Sequence, residues 1–161
     1  MIELRKLSFG GSAAIVTGMA LIVGFDAATV AKSVVVTGLL IIGIADNLTD
    51  SLSVHIYQES EGLSEGLIER DAFRTTVANF FARLFVCIAF VAVLLLLPAS
   101  IAIPVSLILG FALLSVLSYF LARARGVSTI SEILKHCAVA FAVIAISKAI
   151  GAWLPAVVGS L

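Results

Sequence analysis

Two aspartates stand inside an apolar run that extends from Ser33 to Tyr57. Asp46 and Asp50 are one helical turn apart and therefore share a helix face, and the run contains no lysine or arginine. A carboxylate at mid-bilayer depth costs about 2.5–3.5 kcal/mol on insertion scales. The pair therefore indicates a cation or proton site. The alternative is a pair of neutral acids that hydrogen-bond to neighbouring helices.

The same run carries further side chains that can bind a cation. His55 and Glu59 form a second i,i+4 pair on a neighbouring face, and Glu61 follows on the face of the two aspartates. Carboxylate and imidazole groups are common ligands of metal ions in proteins. We predict that the site comprises Asp46, Asp50, His55, Glu59 and Glu61.

The composition is that of an integral membrane protein. Of 161 residues, 61% are hydrophobic and 12% are charged, whereas a soluble domain carries roughly 25% charged residues. The formal net charge is zero and no basic run is present, so we expect no nucleic-acid partner. With no metalloprotease or CxxC motif, no enzyme activity is expected. Cys87 and Cys137 lie in apolar runs and are predicted to be buried thiols.

The apolar runs predict an all-α membrane domain of five transmembrane helices, because about 20 helical residues cross the hydrocarbon of a bilayer. Met1–Phe9 is predicted to lie at the membrane interface before the first span, and Pro98 to end the third. The predicted spans are 10–25, 33–57, 75–97, 101–121 and 133–154, with an acidic connection at 58–74.

Two features of these spans bear on how the helices pack. Gly10, Ala14 and Gly18 recur at every fourth position, a pattern that lets another helix approach closely. Arg83 lies near the start of the third span. At that depth it should either extend toward the interface or pair with an acid, such as one near the end of the second helix.

The distribution of basic residues predicts the orientation. Eight of the ten Lys and Arg residues fall on one side of the predicted topology, and only Lys32 and Lys148 fall on the other. The positive-inside rule therefore predicts a cytoplasmic N-terminus and a C-terminus outside. In this orientation His55, Glu59 and the acidic connection at 58–74 face the cytoplasm.

The run from Phe9 to Thr17, Phe-Gly-Gly-Ser-Ala-Ala-Ile-Val-Thr, is followed by a second helix with an acidic extension. This arrangement resembles the vacuolar iron transporter family. The resemblance implies five membrane helices, a cytoplasmic N-terminus, and a homodimer whose first two helices line a path for ferrous and manganous ions. Members of that family are taken to export divalent metal from the cytosol in exchange for protons.

The family's functional positions carry over only in part. Asp46 falls on an acidic position of the family's second helix, whereas the first-helix aspartate corresponds to Ala13 and the second-helix methionine to Val54. The glutamate that follows this methionine falls on Gln58, with Glu59 beside it. The short acidic connection stands where the family has large cytoplasmic metal-binding helices.

The sequence and the resemblance together predict a transporter that exports iron(II) or manganese(II) from the cytosol by proton antiport. Oxygen and imidazole ligands suit both ions, and close carboxylates favour proton uptake when the metal leaves. The expected partners are the transported metal ions, membrane lipid and a second copy joined through the first helix, with no permanently bound cofactor. The expected location is a prokaryotic plasma membrane. The alternative is a non-transporting membrane scaffold of the same fold.

Overall fold

A computed structural model describes residues 2–65 and 69–159, with side chains except at 2–9, 54, 58–59, 61–65 and 69–75. The described residues form five α-helices and no strand, which confirms the predicted all-α class. Each helix contains a stretch long and apolar enough to cross a membrane. The helices are α1 (Ile2–Ala27), α2 (Lys32–Glu65), α3 (Glu69–Leu96), α4 (Ala99–Arg125) and α5 (Thr129–Val158).

Most helices extend beyond the spans that hydropathy predicts. α2 continues to Glu65 and α3 starts at Glu69, so most of the acidic connection at 58–74 is helical. The interfacial lead-in is likewise helical from Ile2 onward and continuous with α1. Hydropathy marks only the part of a helix that enters lipid, whereas the backbone hydrogen bonds of a helix continue into its polar ends.

Local residue chemistry accounts for the last two breaks between helices, α3 to α4 and α4 to α5. α3 ends at Leu96 and Pro98 caps the start of α4, as expected of a residue without a backbone N–H. Gly126 ends α4 in the left-handed conformation, with φ of 68°. After this turn Ser128 is extended and α5 begins at Thr129, four residues before the predicted start of the fifth span at 133.

α1 lies at the centre of the bundle and packs against all four other helices. Its glycines allow these contacts: the ring of Phe90 from α3 lies over Gly18, and Ser147 of α5 lies over Gly24 and donates from Oγ to the carbonyl of Ala20 at 2.6 Å. The predicted small-residue face thus admits a helix of the same chain, because Gly10 and Gly18 both face α3. A homodimer through α1 stays a prediction.

The outer helices expose apolar side chains, as expected for surfaces in contact with lipid. α4 has one inward-facing row of mostly small residues at every fourth position, and its other faces are largely open. α2 is also weakly covered and exposes a series of large apolar residues. On α2 these are Val34, Leu40, Ile41, Ile42, Ile44, Leu48, Leu52, Ile56 and Tyr57. Cys87 is a buried free thiol, as predicted, and Cys137 a half-buried one.

Candidate functional site

Arg83 connects three helices at the centre of the candidate site. From α3, its Nη1 donates to Asp50 and its Nη2 donates to Asp46, both on α2. Nη1 also lies 3.4 Å from the carbonyl oxygen of Gly10 on α1. The Arg83 side chain is only 2% exposed. Of the two alternatives predicted for Arg83, pairing with an acid is the one observed, and the two acids lie in the middle of α2 rather than near its end.

The antiparallel packing of α2 against α3 produces this geometry. Cys87 Sγ contacts the carbonyl of Leu39 on one side of Arg83, and Asn47 Nδ2 donates to the carbonyl of Phe80 at 2.9 Å on the other. The two helices therefore run in opposite directions. Because Asp46 and Asp50 are one turn apart, both carboxylates reach the same guanidinium. The planar guanidinium group of arginine has five N–H donors and can bond two carboxylates at once, which the ammonium group of lysine does less well.

The two carboxylates are not enclosed in a dry interior. The side chain of Asp46 is 43% exposed and that of Asp50 is 35% exposed, although Arg83 is almost completely covered. One cationic group therefore neutralises part of the charge on two accessible anionic groups. Among the described side chains, no other cation forms an ion pair with either aspartate.

A cleft between α1, α2 and α3 opens beside the ion pairs. It has a volume of about 30 Å³ and is lined by Asp46, Arg83 and Cys87 together with Thr17 of α1. A space of this size holds about two water molecules. α1 contributes only Ala14, Thr17, Gly18 and Leu21 to the lining. Among the side chains of α1 that the structure describes, no carboxylate lines the cleft, and position 13 is an alanine.

Buried polar side chains surround the cluster where α3 packs against α2 and α1. Asn47, Asn79 and Ser51 are 1%, 2% and 7% exposed. Within the described residues, Asn47 Oδ1, Asn79 Oδ1, Ser51 Oγ and Arg83 Nε have no hydrogen-bond partner. Buried polar groups are usually paired, so unpaired ones mark places where another group can bind. These residues form a polar seam along an otherwise apolar helix contact.

A second cavity of about 60 Å³ lies near the turn between α1 and α2. Lys32 lines it and donates from Nζ to the carbonyl of Leu97 at 2.7 Å, just beyond the end of α3. Ile22, Val35 and Leu94 form part of its apolar wall. Val35 and Leu94 lie one turn from Leu39 and Phe90 of the first cleft, and Ile22 follows Leu21 directly.

A separate charge cluster joins α4 to α5. Glu132 accepts from Arg125 Nη1 at 3.2 Å and from Lys135 Nζ at 2.9 Å. One turn further along α5, His136 Nδ1 lies 2.8 Å from Ser118 Oγ. The Ser118 hydroxyl donates to the carbonyl of Leu114 at 2.6 Å, which leaves the ring nitrogen as the donor. Ser118 is buried, so this pair stabilises the helix contact.

The structure describes the side chains of three of the five predicted metal ligands. Asp46 and Asp50 converge on Arg83, while His55 is half-buried further along α2. The side chains of Glu59 and Glu61 lie outside the described residues, as does that of Val54. Among the described side chains, no three or more His, Cys, Asp or Glu residues come together in a way that could hold a metal ion.

The sequence indicated the two aspartates and, as one of two alternatives, the pairing of Arg83, but not the polar seam around them. Asn47 and Ser51 share a face one turn apart, as do Asn79 and Arg83. Polar residues at this spacing within two apolar helices were the available signal for a buried contact between them.

The chain was compared with family models, with curated proteins and with solved structures, and none of them matches it.

Proposed function

We propose that this protein is a membrane transporter of divalent cations that bind at Asp46 and Asp50. The observation that supports this proposal is the sharing of one guanidinium between two carboxylates. When all three groups are ionised, the cluster retains one net negative charge within a segment apolar enough to span a bilayer. An unbalanced charge at that depth is costly and favours the uptake of a cation or a proton.

Access to the carboxylates also supports the proposal. Both aspartates are at least one-third exposed, and the cleft beside them has space for water. Two neutral acids that served only to pack helices would be expected to face a dry contact. The oxygen atoms of Asp46 and Asp50 instead remain available to a partly hydrated ion, and hard divalent cations prefer oxygen ligands.

We further propose that the transported ion is iron(II) or manganese(II) and that it leaves the cytosol in exchange for protons. The resemblance of the first two helices to the vacuolar iron transporter family supports this choice. A carboxylate that has lost its metal ion takes up a proton readily at membrane depth, which couples the two movements. The protein would act as a homodimer in a prokaryotic plasma membrane with its N-terminus in the cytoplasm. His55, Glu59 and Glu61 would bind ions on the cytoplasmic side.

The experiment is manganese flux into proteoliposomes, with internal pH recorded in the same vesicles. Wild type is expected to take up Mn²⁺ with proton movement in the opposite direction. The Asp46→Asn/Asp50→Asn variant should lose at least about tenfold in initial rate, because both anionic ligands are gone. Arg123→Gln, which removes an exposed charge at the end of α4, should transport like wild type.

The double variant leaves the buried Arg83 without its anionic partners, which could prevent folding. The triple variant Asp46→Asn/Asp50→Asn/Arg83→Gln removes the three charges together and provides a second test. It is expected to purify as wild type does and to be inactive in the flux assay. Transport by the triple variant at the wild-type rate would refute a role for these carboxylates.

One observation favours the non-transporting scaffold as a second candidate. Arg83 already bonds both aspartates, so the carboxylates are partly compensated without any bound ion. A scaffold of this kind predicts no Mn²⁺ flux in wild-type proteoliposomes at any pH gradient. It also predicts that the triple variant forms the same assembly as wild type.

A further inference from the structure

We infer that Arg83 is a built-in competitor, which occupies Asp46 and Asp50 when no transported ion is bound and which the ion must displace. This inference rests on the proposed function and identifies how the same site is regulated. It starts from the finding that one guanidinium bonds both carboxylates through separate nitrogen atoms.

The guanidinium and a divalent ion exclude each other at this position. Both Arg83 contacts go to Oδ2 atoms on the face that Asp46 and Asp50 share. A metal ion that bridged the same two carboxylates would lie within a few ångströms of the guanidinium. Like charges at such a distance repel strongly where water is scarce, and Arg83 is 2% exposed. The bound ion therefore requires Arg83 to move away.

The surroundings of Arg83 provide an alternative set of hydrogen-bond acceptors. The carbonyl of Gly10 already lies 3.4 Å from Nη1. Asn79 Oδ1 is buried without a hydrogen-bond partner and lies against Gly10, one helical turn from Arg83 on α3. A guanidinium that left the carboxylates could donate to both oxygens, because an arginine side chain carries five N–H donors. In this second position of Arg83, the unpaired Oδ1 of Asn79 would accept a hydrogen bond from the guanidinium, as the carbonyl of Gly10 would.

The two positions have consequences for ion binding. While Arg83 occupies the carboxylates, the fraction of protein ready to bind the ion is small and the apparent affinity is lowered by that fraction. After the ion leaves, Arg83 returns and balances one of the two negative charges, and the remaining charge is available to the proton that the antiport requires. Arg83 is therefore a positioning residue that sets affinity and return rate, and it makes no contact with the ion.

The test is equilibrium Mn²⁺ binding to purified protein in detergent, together with the KM and maximal rate of Mn²⁺ flux. Arg83→Gln removes the competitor and should bind Mn²⁺ at least about tenfold more tightly than wild type. Its flux should show a lower KM and also a lower maximal rate, because the release step loses the returning cation. Arg123→Gln is the matched control and should change neither quantity.

Two further measurements separate competition from a purely structural role. Free guanidinium ion, added below denaturing concentrations, should weaken Mn²⁺ binding to Arg83→Gln far more than binding to wild type. If Arg83→Gln does not fold, Asn79→Ala replaces it, because loss of the alternative acceptor should weaken Mn²⁺ binding several-fold. Unchanged or weaker binding in a folded Arg83→Gln variant would overturn the inference, as would unchanged binding in Asn79→Ala.

Failure of this inference and failure of the proposed function give different results. Wild-type flux combined with unchanged Mn²⁺ affinity in Arg83→Gln would overturn the competitor and retain the transporter. Tighter binding in Arg83→Gln without flux in wild type would retain the competitor and overturn transport. Absence of Mn²⁺ binding in both proteins would overturn both.

Discussion

The side-chain amide oxygen of Asn79 packs directly onto Gly10, so closely that any side chain at position 10 would overlap it. This contact brings α1 and α3 together beside Arg83, whose Nη1 faces the carbonyl of the same glycine. The absence of a Cβ at Gly10 therefore determines how near α1 comes to the ion pairs.

The Gly10→Ala substitution is expected to destabilise the protein by about 1–3 kcal/mol, because a well-packed contact cannot absorb an added methyl group without a shift. Asn79→Ala in the same chain should recover much of this loss, since it removes the overlapping amide. The measurement is thermal unfolding in detergent for the two single variants and the double variant. Additive effects of the two substitutions would show that these residues do not touch.

Gly18 and Gly11 provide a matched pair on α1. A Cβ at Gly18 would lie 2.7 Å from ring carbons of Phe90, whereas one at Gly11 would lie 3.5 Å from Leu117 Cδ2, an ordinary contact. Gly18→Ala should therefore lower the unfolding temperature, because Phe90 is fully buried and its ring is rigid. Gly11→Ala should be neutral or stabilising by up to about 1 kcal/mol, the usual helical advantage of alanine. Equal unfolding temperatures for the two variants would contradict the described α1–α3 contact.

Lys32 stabilises the end of α3 from another helix. Its Nζ donates to the carbonyl of Leu97 at 2.7 Å, where the helix dipole also favours a cation. Lys32→Met keeps most of the side-chain length and should cost about 1 kcal/mol of stability. Lys148→Met, at an exposed position of α5, serves as the control in the same unfolding assay. A loss of the same size in both variants would indicate a general charge effect.

Asn47 should be replaceable by leucine at little cost. Asn47 is 1% exposed; its Nδ2 bonds the Phe80 carbonyl, but its Oδ1 has no partner among the described residues. Asn47→Leu removes that unpaired oxygen, and the Phe80 carbonyl keeps its place in the helical ladder of α3. We expect a change of stability within about 1 kcal/mol of wild type, in either direction. A loss of about 3 kcal/mol or more would mean that the amide oxygen is paired in the folded protein.

The fold was predictable from the sequence because lipid imposes simple requirements on it. Hydropathy and proline placement predicted five helices, and Pro98 indeed separates α3 from α4. The helix ends were less predictable, since hydropathy does not detect the polar turns that α2 and α3 add outside lipid. The early start of α5 depends on the left-handed Gly126, a backbone property that sequence patterns indicate only weakly.

The candidate site was predictable only along a single helix. The spacing of Asp46 and Asp50 indicated their shared face, and the depth of Arg83 indicated either an acidic partner or a side chain extended toward the interface. The sequence did not show that one arginine would serve both aspartates, because that depends on the alignment of α2 against α3. The same alignment places Asn47 against Phe80, while Asn79 lies against Gly10 of α1, and the pattern of a single helix reveals neither contact.

The burial of Arg83 also has a consequence for how the chain enters its membrane. α3 carries a guanidinium whose insertion alone would cost about 2.5–3.5 kcal/mol on translocon scales. Its two anionic partners lie on α2, which is synthesised first and therefore reaches the bilayer earlier. If α2 and α3 enter the bilayer together as one hairpin, Arg83 and the two aspartates are already paired. Neither helix then bears the free-energy cost of inserting an unpaired charge.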